Sequence, residues 1–137
     1  MALSIFMIWK LLRRKKRVRT KSKHYSAHKE LARTLIMQKL SQWNAQYQFT
    51  YKRVAIRNTR RNWGSCTSLK NLNFNYRILF LPEHLQDYII VHELCHLQEL
   101  HHRQPFWDLV ALQIPEYEKC KLELRAVEKQ LHFNSIF

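Results

Sequence analysis

The chain has 137 residues, 46% of them hydrophobic, with one Gly and three Pro. This is enough apolar material for one domain with one core; the low Gly and Pro content argues against long flexible linkers, and no internal repeat appears. The net charge of +14 is concentrated at one end: residues 1–63 hold 17 Lys and Arg against Glu30 alone, while residues 64–137 hold 7 against 9 acidic residues.

The basicity is therefore an amino-terminal property, suited to a nucleotide, a nucleic acid, an anionic membrane surface or an acidic substrate. Cys66, Cys95 and Cys120 are odd in number and form no Cys-x-x-Cys pair, so they read as reduced thiols of a cytoplasmic protein. Residues 2–12 are apolar but far short of the roughly 20 residues that span a bilayer. Their basic run, Arg13 to Arg17, follows the apolar stretch, which is the wrong order for a secretory signal. Residues 1–24 are expected to be a separate apolar-basic lead, either disordered or held at a surface, with residues 1–19 able to lie on a membrane. Residues 25–137 are expected to be the domain.

A helix is expected over 26–46, where Ala27, Leu31, Leu35, Ile36, Leu40 and Trp43 recur at helical spacing without Gly or Pro. Phe49 to Tyr51 and Val54 to Ile56 alternate as strands do. Gly64 is the only glycine, and its place after Trp63 marks a backbone position that no side chain fits. Leu72, Phe74, Tyr76 and Ile78 alternate with Asn71, Asn73, Asn75 and Arg77, giving a strand over 71–78 with one apolar and one polar face. Asn73, Asn75, Tyr76 and Arg77 are candidate substrate-binding residues if that strand borders the site, since an extended peptide can pair with a strand edge. Pro82 and Glu83 suit the first turn of the next helix.

That helix carries His92-Glu93-Leu94-Cys95-His96. Residues four apart share a helix face, so His92 and His96 can aim two imidazoles at one metal ion, and Glu93 stands where a metallohydrolase places its general base. The flanking Leu85, Tyr88, Ile89, Ile90, Val91, Leu94 and Leu97 mark a buried helix. A third ligand is needed, and His102 is the candidate. On a continuous helix six residues would turn it about 240° from His96, so the helix must end between them, with His101 suited to a left-handed stop. His101 itself, Glu116, Glu118 and Glu123 are the alternatives. Pro105 then opens another helix, with Phe106, Trp107 and Val110 available to pack.

Trp63-Gly-Ser-Cys66, Asn71-Leu-Asn-Phe-Asn-Tyr76, Leu81-Pro82, Asp87-Tyr88, the His-Glu-x-x-His run, His102 and Phe106-Trp107 together resemble the YgjP-like metallopeptidase domain. That family is related in motif to the WLM and SprT-like metalloproteases. The likeness covers about residues 25–125. It implies an α+β, zincin-like fold, with antiparallel strands packed against an amino-terminal helix and a central metal-binding helix. It also implies one zinc ion per chain on His92, His96 and His102, with Glu93 as general base. The chain departs from the family pattern at Asn62, Lys70 and the His101-His102-Arg103 run, where the family usually has Arg, Gly and Asn-His-Ser.

The expected activity is zinc-dependent hydrolysis of a peptide or protein. Two alternatives stand beside it: a UTP diphosphatase at the same metal site, an activity the resemblance also suggests, and a nucleic-acid-binding module with a structural metal, carried by the basic amino-terminal half.

Overall fold

The structure is a computed structural model that describes residues 22–131; the expected lead lies almost wholly outside them. Helix α1 spans Lys23–Tyr47, starting where Ser22 Oγ accepts a hydrogen bond from the Tyr25 amide. It ends on Gln48, which adopts the left-handed conformation with φ 57°. The Asn44 side chain closes that end by bonding both the amide and the carbonyl of Phe49. Its buried face, Tyr25, Ala32, Ile36, Lys39 and Leu40, has the expected helical spacing.

Three strands follow: β1 (Arg53–Arg57), β2 (Gly64–Cys66) and β3 (Asn71–Asn75), ordered β1-β3-β2. Strands β2 and β3 are antiparallel, joined by a tight turn in which Lys70 takes φ 62° in place of a glycine. Strands β1 and β3 are parallel, with Arg57 opposite Asn75, so the sheet is mixed and not wholly antiparallel. The reason lies in residues 58–63, which cross from β1 over the end of β3 to reach β2. Asn75 Nδ2 donates to the carbonyls of Thr59 and Asn62, and Arg77 Nη1 donates to Asn58 Oδ1 and the Thr59 carbonyl. A short connection pinned in this way forces the crossover.

The expected strand over 71–78 stops at Asn75. The Asn75 carboxamide accepts from the Arg77 amide and turns the chain into a 3-10 segment, Tyr76–Phe80. Local side-chain capping overrides the alternating pattern here.

Helix α2 (Glu83–Cys95) runs through the middle of the molecule with Pro82 before its first residue. It packs on α1, on β2, on α3 (Gln104–Gln113) and on α4 (Tyr117–Leu131), which accounts for its near-complete burial. Lys39 of α1, itself buried, places Nζ 2.7 Å from Asp87 Oδ1, and Trp43 Nε1 donates to the same oxygen. These bonds tie α1 to α2 one turn before the histidines. Trp63 is fully buried and donates Nε1–H to Glu128 Oε1 of α4.

Among the described residues no helix is long and apolar enough to cross a membrane.

Candidate metal centre

The metal candidates come together because α2 stops on time. Its ladder ends at Cys95, and tighter bonds take over, from the Leu97 amide to the Leu94 carbonyl and from the Gln98 amide to the Cys95 carbonyl. His101 does not supply a left-handed stop, since Gln48 and Lys70 are the only described non-glycine residues at positive φ. The helix closes by 3-10 tightening, which needs no special residue. The chain then swings back, and Pro105 in the first turn of α3 fixes the exit.

The result places three imidazole nitrogens in a triangle. The Nε2 atoms of His92 and His96 are 3.1 Å apart, those of His96 and His102 3.0 Å, and those of His102 and His92 3.1 Å. Among the described residues these three form the only such His, Cys, Asp or Glu group. His92 and His96 are buried, whereas His102 lies at the surface.

The tautomer of His96 follows from its other nitrogen. Nδ1 lies 2.9 Å from the Glu99 carbonyl oxygen, which can only accept, so Nδ1 carries the hydrogen and the neutral ring turns a lone pair toward its partners. Burial, followed by the neighbouring His96, His102 and Lys121, holds His92 well below the usual imidazole range. Burial lowers His96 to about 4 against the opposing pull of the Glu99 carbonyl, and it lowers His102 as well, with help from Lys121. A neutral ring's Nε2 either donates or accepts and cannot do both, so three of them in a triangle cannot all be satisfied by one another. A cation among them would resolve the conflict.

Aromatic rings buttress the triangle. Phe106 stacks on His96 with centroids 4.4 Å apart and meets His92 and His102 edge-on. Trp107 stacks on His102, Tyr117 stacks on Trp107, and Lys121 Nζ sits 4.3 Å from the Trp107 centroid. The exposed histidine is thus braced from α3 and α4.

Glu93 lies beside the triangle, 1% exposed, and its Oε2 has no hydrogen-bond partner among the described residues. Burial raises its carboxyl to about 8. The backbone of β2 passes directly against it at Gly64. A cleft of about 170 Å³ opens over these groups, lined by Asn62, Ser65, Cys66 and Leu100 besides Gly64, Glu93 and the three histidines.

The other sequence candidates lie elsewhere. Asn73 is half-buried on β3, where it donates to Ser65 Oγ and accepts from Arg57 Nε. Asn75 and Arg77 hold the 58–63 crossover, and Tyr76 is buried with its hydroxyl 2.9 Å from His24 Nδ1. Neither Asn75, Tyr76 nor Arg77 lines the cleft over the histidines. His101 and the carboxylates of Glu116, Glu118 and Glu123 are outside the triangle; Glu116 pairs with Lys119 and Glu123 with His84. Sequence reading missed the walls contributed by Asn62, Ser65, Cys66 and Leu100. It also missed the Glu99 carbonyl, which any residue type would have supplied.

The fold is similar to the crystal structure of the metallopeptidase zymogen of Pyrococcus abyssi abylysin. That match has a TM-score of 0.62 at 22% identity over 74% of this chain and 99% of the other. No curated protein matches the chain. The model of the YgjP-like metallopeptidase domain family matches residues 7–127. The chain therefore belongs to the YgjP-like metallopeptidase domain family and is a metal-dependent hydrolase.

Proposed function

We propose that the chain is a zinc peptidase in which His92, His96 and His102 hold one zinc ion and Glu93 is the general base. The observation that carries this reading is the triangle of Nε2 atoms at 3.0–3.1 Å with an unpartnered buried carboxylate beside it.

The donor set fits the ion. Two nitrogens bound to a tetrahedral zinc at about 2.0–2.1 Å stand roughly 3.3 Å apart, within a few tenths of an ångström of the spacing here. Three neutral imidazoles are a common catalytic set that leaves a position open. When bound, the metal supplies Lewis acidity, polarising a carbonyl and acidifying water.

Glu93 accepts a proton from the attacking water and delivers it to the departing amine. Burial raises this carboxyl in the metal-free site, and a cation held by the histidines would draw it back toward the ionised form that accepts the water proton. His96 keeps its lone pair on the metal side because the Glu99 carbonyl holds the proton at Nδ1. Gly64 and Ser65 form the wall along which a peptide reaches Glu93.

The test is elemental analysis and hydrolysis on one preparation. Wild type should carry about one zinc per chain and release new amino termini from a peptide library. Glu93→Gln should keep the zinc and lose the hydrolysis by at least about 100-fold. Pyrophosphate released from UTP without any peptide cleavage would favour a nucleotide hydrolase at the same centre.

A further inference from the structure

A second and larger hollow, about 860 Å³, runs between α1 and β1 and meets the histidine cleft at Asn62, Gly64 and Ser65, which line both. Its walls carry Lys29 and Arg33 from α1 and Arg53 and Arg57 from β1, and no Asp or Glu lines it. Arg33 has a carboxylate partner, Glu30 at 3.5 Å, while Lys29, Arg53 and Arg57 form no ion pair among the described residues. Arg57 is steered by Asn73 Oδ1, which accepts from its Nε.

Two carbonyls of β1 are already engaged by side chains of α1. The Val54 carbonyl accepts from Arg33 Nη1 and the Ile56 carbonyl from the Tyr25 hydroxyl. Whatever lies in this trough meets cationic side chains, and two of the carbonyls that strand pairing would use are already taken. The two aromatic residues of its lining, Tyr25 and Phe74, are 9% and 0% exposed. Single-stranded nucleic acid is held by exposed rings on which bases stack, and the trough offers none. A polypeptide carrying carboxylates needs only the charges, and the trough shares Asn62, Gly64 and Ser65 with the cleft that holds Glu93.

We infer that this trough is a subsite for acidic segments of the substrate polypeptide, read by Lys29, Arg53 and Arg57. The inference rests on the peptidase reading for what enters the cleft, but its test requires no hydrolysis.

The test uses the full chain carrying Glu93→Gln and two fluorescent decapeptides, one with Asp and Glu at alternate positions and the other with Asn and Gln in their place. Fluorescence anisotropy at 0.1 M salt should show the acidic peptide binding at least about tenfold more tightly, since several exposed ion pairs act together. The preference should shrink at 0.5 M salt. Arg53→Glu with Arg57→Glu should bring the acidic peptide down to the amide control, while Arg53→Lys with Arg57→Lys should retain the preference.

Equal binding of the two peptides would overturn the inference, as would an acidic preference that survives the charge reversal. An oligothymidylate of equal charge that binds tenfold more tightly than the acidic peptide, and is lost on charge reversal, would make the trough a nucleic-acid site and overturn it too. Failure of wild type to cleave any peptide would count against the peptidase reading, whereas the binding comparison decides the trough separately.

Discussion

Gly64 faces Glu93 so closely that a Cβ on Gly64 would stand 2.9 Å from both Cγ and Oε1 of Glu93, and 3.1 Å from the Asn73 carbonyl. The Asn73 carbonyl is backbone and cannot yield cheaply, so Glu93 must move. Gly64→Ala should reduce peptide hydrolysis by at least about tenfold, because small misplacement of a base is costly. Zinc content by elemental analysis should stay near wild type, because the atoms nearest to that Cβ belong to Glu93 and Asn73 and not to a histidine. Loss of zinc together with activity would show that the glycine supports the whole centre.

The metal-free protein should show opposing pH slopes. Glu93 keeps its proton in the fold until about pH 8, against 4.5 for an ordinary glutamate. A raised carboxyl contributes stability that is complete below pH 4.5 and lost as the pH rises through 8. His96 behaves in the opposite way: lowered from 6.5 to about 4, it contributes stability that is complete above pH 6.5 and lost as the pH falls through 4. Urea unfolding after metal removal should therefore show Glu93→Gln more stable than wild type at pH 8, by an amount on the order of a few kcal/mol. At pH 4 the two should converge. A wild type with no alkaline loss would mean that Glu93 is already ionised in the fold.

His102→Ala removes one corner of the triangle and should weaken zinc binding more than about 100-fold. Trp107→Ala keeps that corner but removes the ring stacked on it, and should weaken zinc binding by about tenfold. Competition against a zinc chelator measures both. Full zinc affinity in His102→Ala would move the third ligand elsewhere.

Lys39 and Asp87 supply a stability prediction remote from the chemistry. Truncating Lys39 to Ala strands a largely buried carboxylate whose lysine partner lay 2.7 Å away. Trp43 Nε1 still donates to it, so the expected loss is about 3 kcal/mol in urea unfolding. The metal-loaded protein should keep its zinc, since the triangle lies beyond this contact.

What could be read from the letters was whatever depends on local periodicity. The four-residue spacing of His92 and His96 placed them on one helix face, and the need for a third donor demanded a helix end before His102; both hold in the fold. The means of that ending was misjudged, because 3-10 tightening has no residue signature and His101 has no need of positive φ. Gly64 was recognisable as a crowded position, while its neighbour Glu93 was not, since β2 and α2 meet only in three dimensions. The strand over 71–78 was cut short by the Asn75 side chain, a capping bond that competes with pairing and leaves the alternation of Tyr76 and Ile78 intact. Parallel pairing of β1 with β3 was likewise invisible, because it depends on a crossover held by Asn75 and Arg77.

That crossover makes the sheet a ruler. Arg57 stands opposite Asn75 on one side of β3, and Gly64 opposite Phe74 on the other. Two strand spacings of about 4.8 Å therefore separate Arg57 from the residue that touches Glu93, a span of about three residues of extended chain. Because hydrogen-bonded strands do not slide, an acidic residue held at Arg57 would set the cut by counting along the substrate. Where a carboxylate sits on Arg57, the cleavage site should then lie at a fixed offset from it, whatever side chain occupies the scissile position itself.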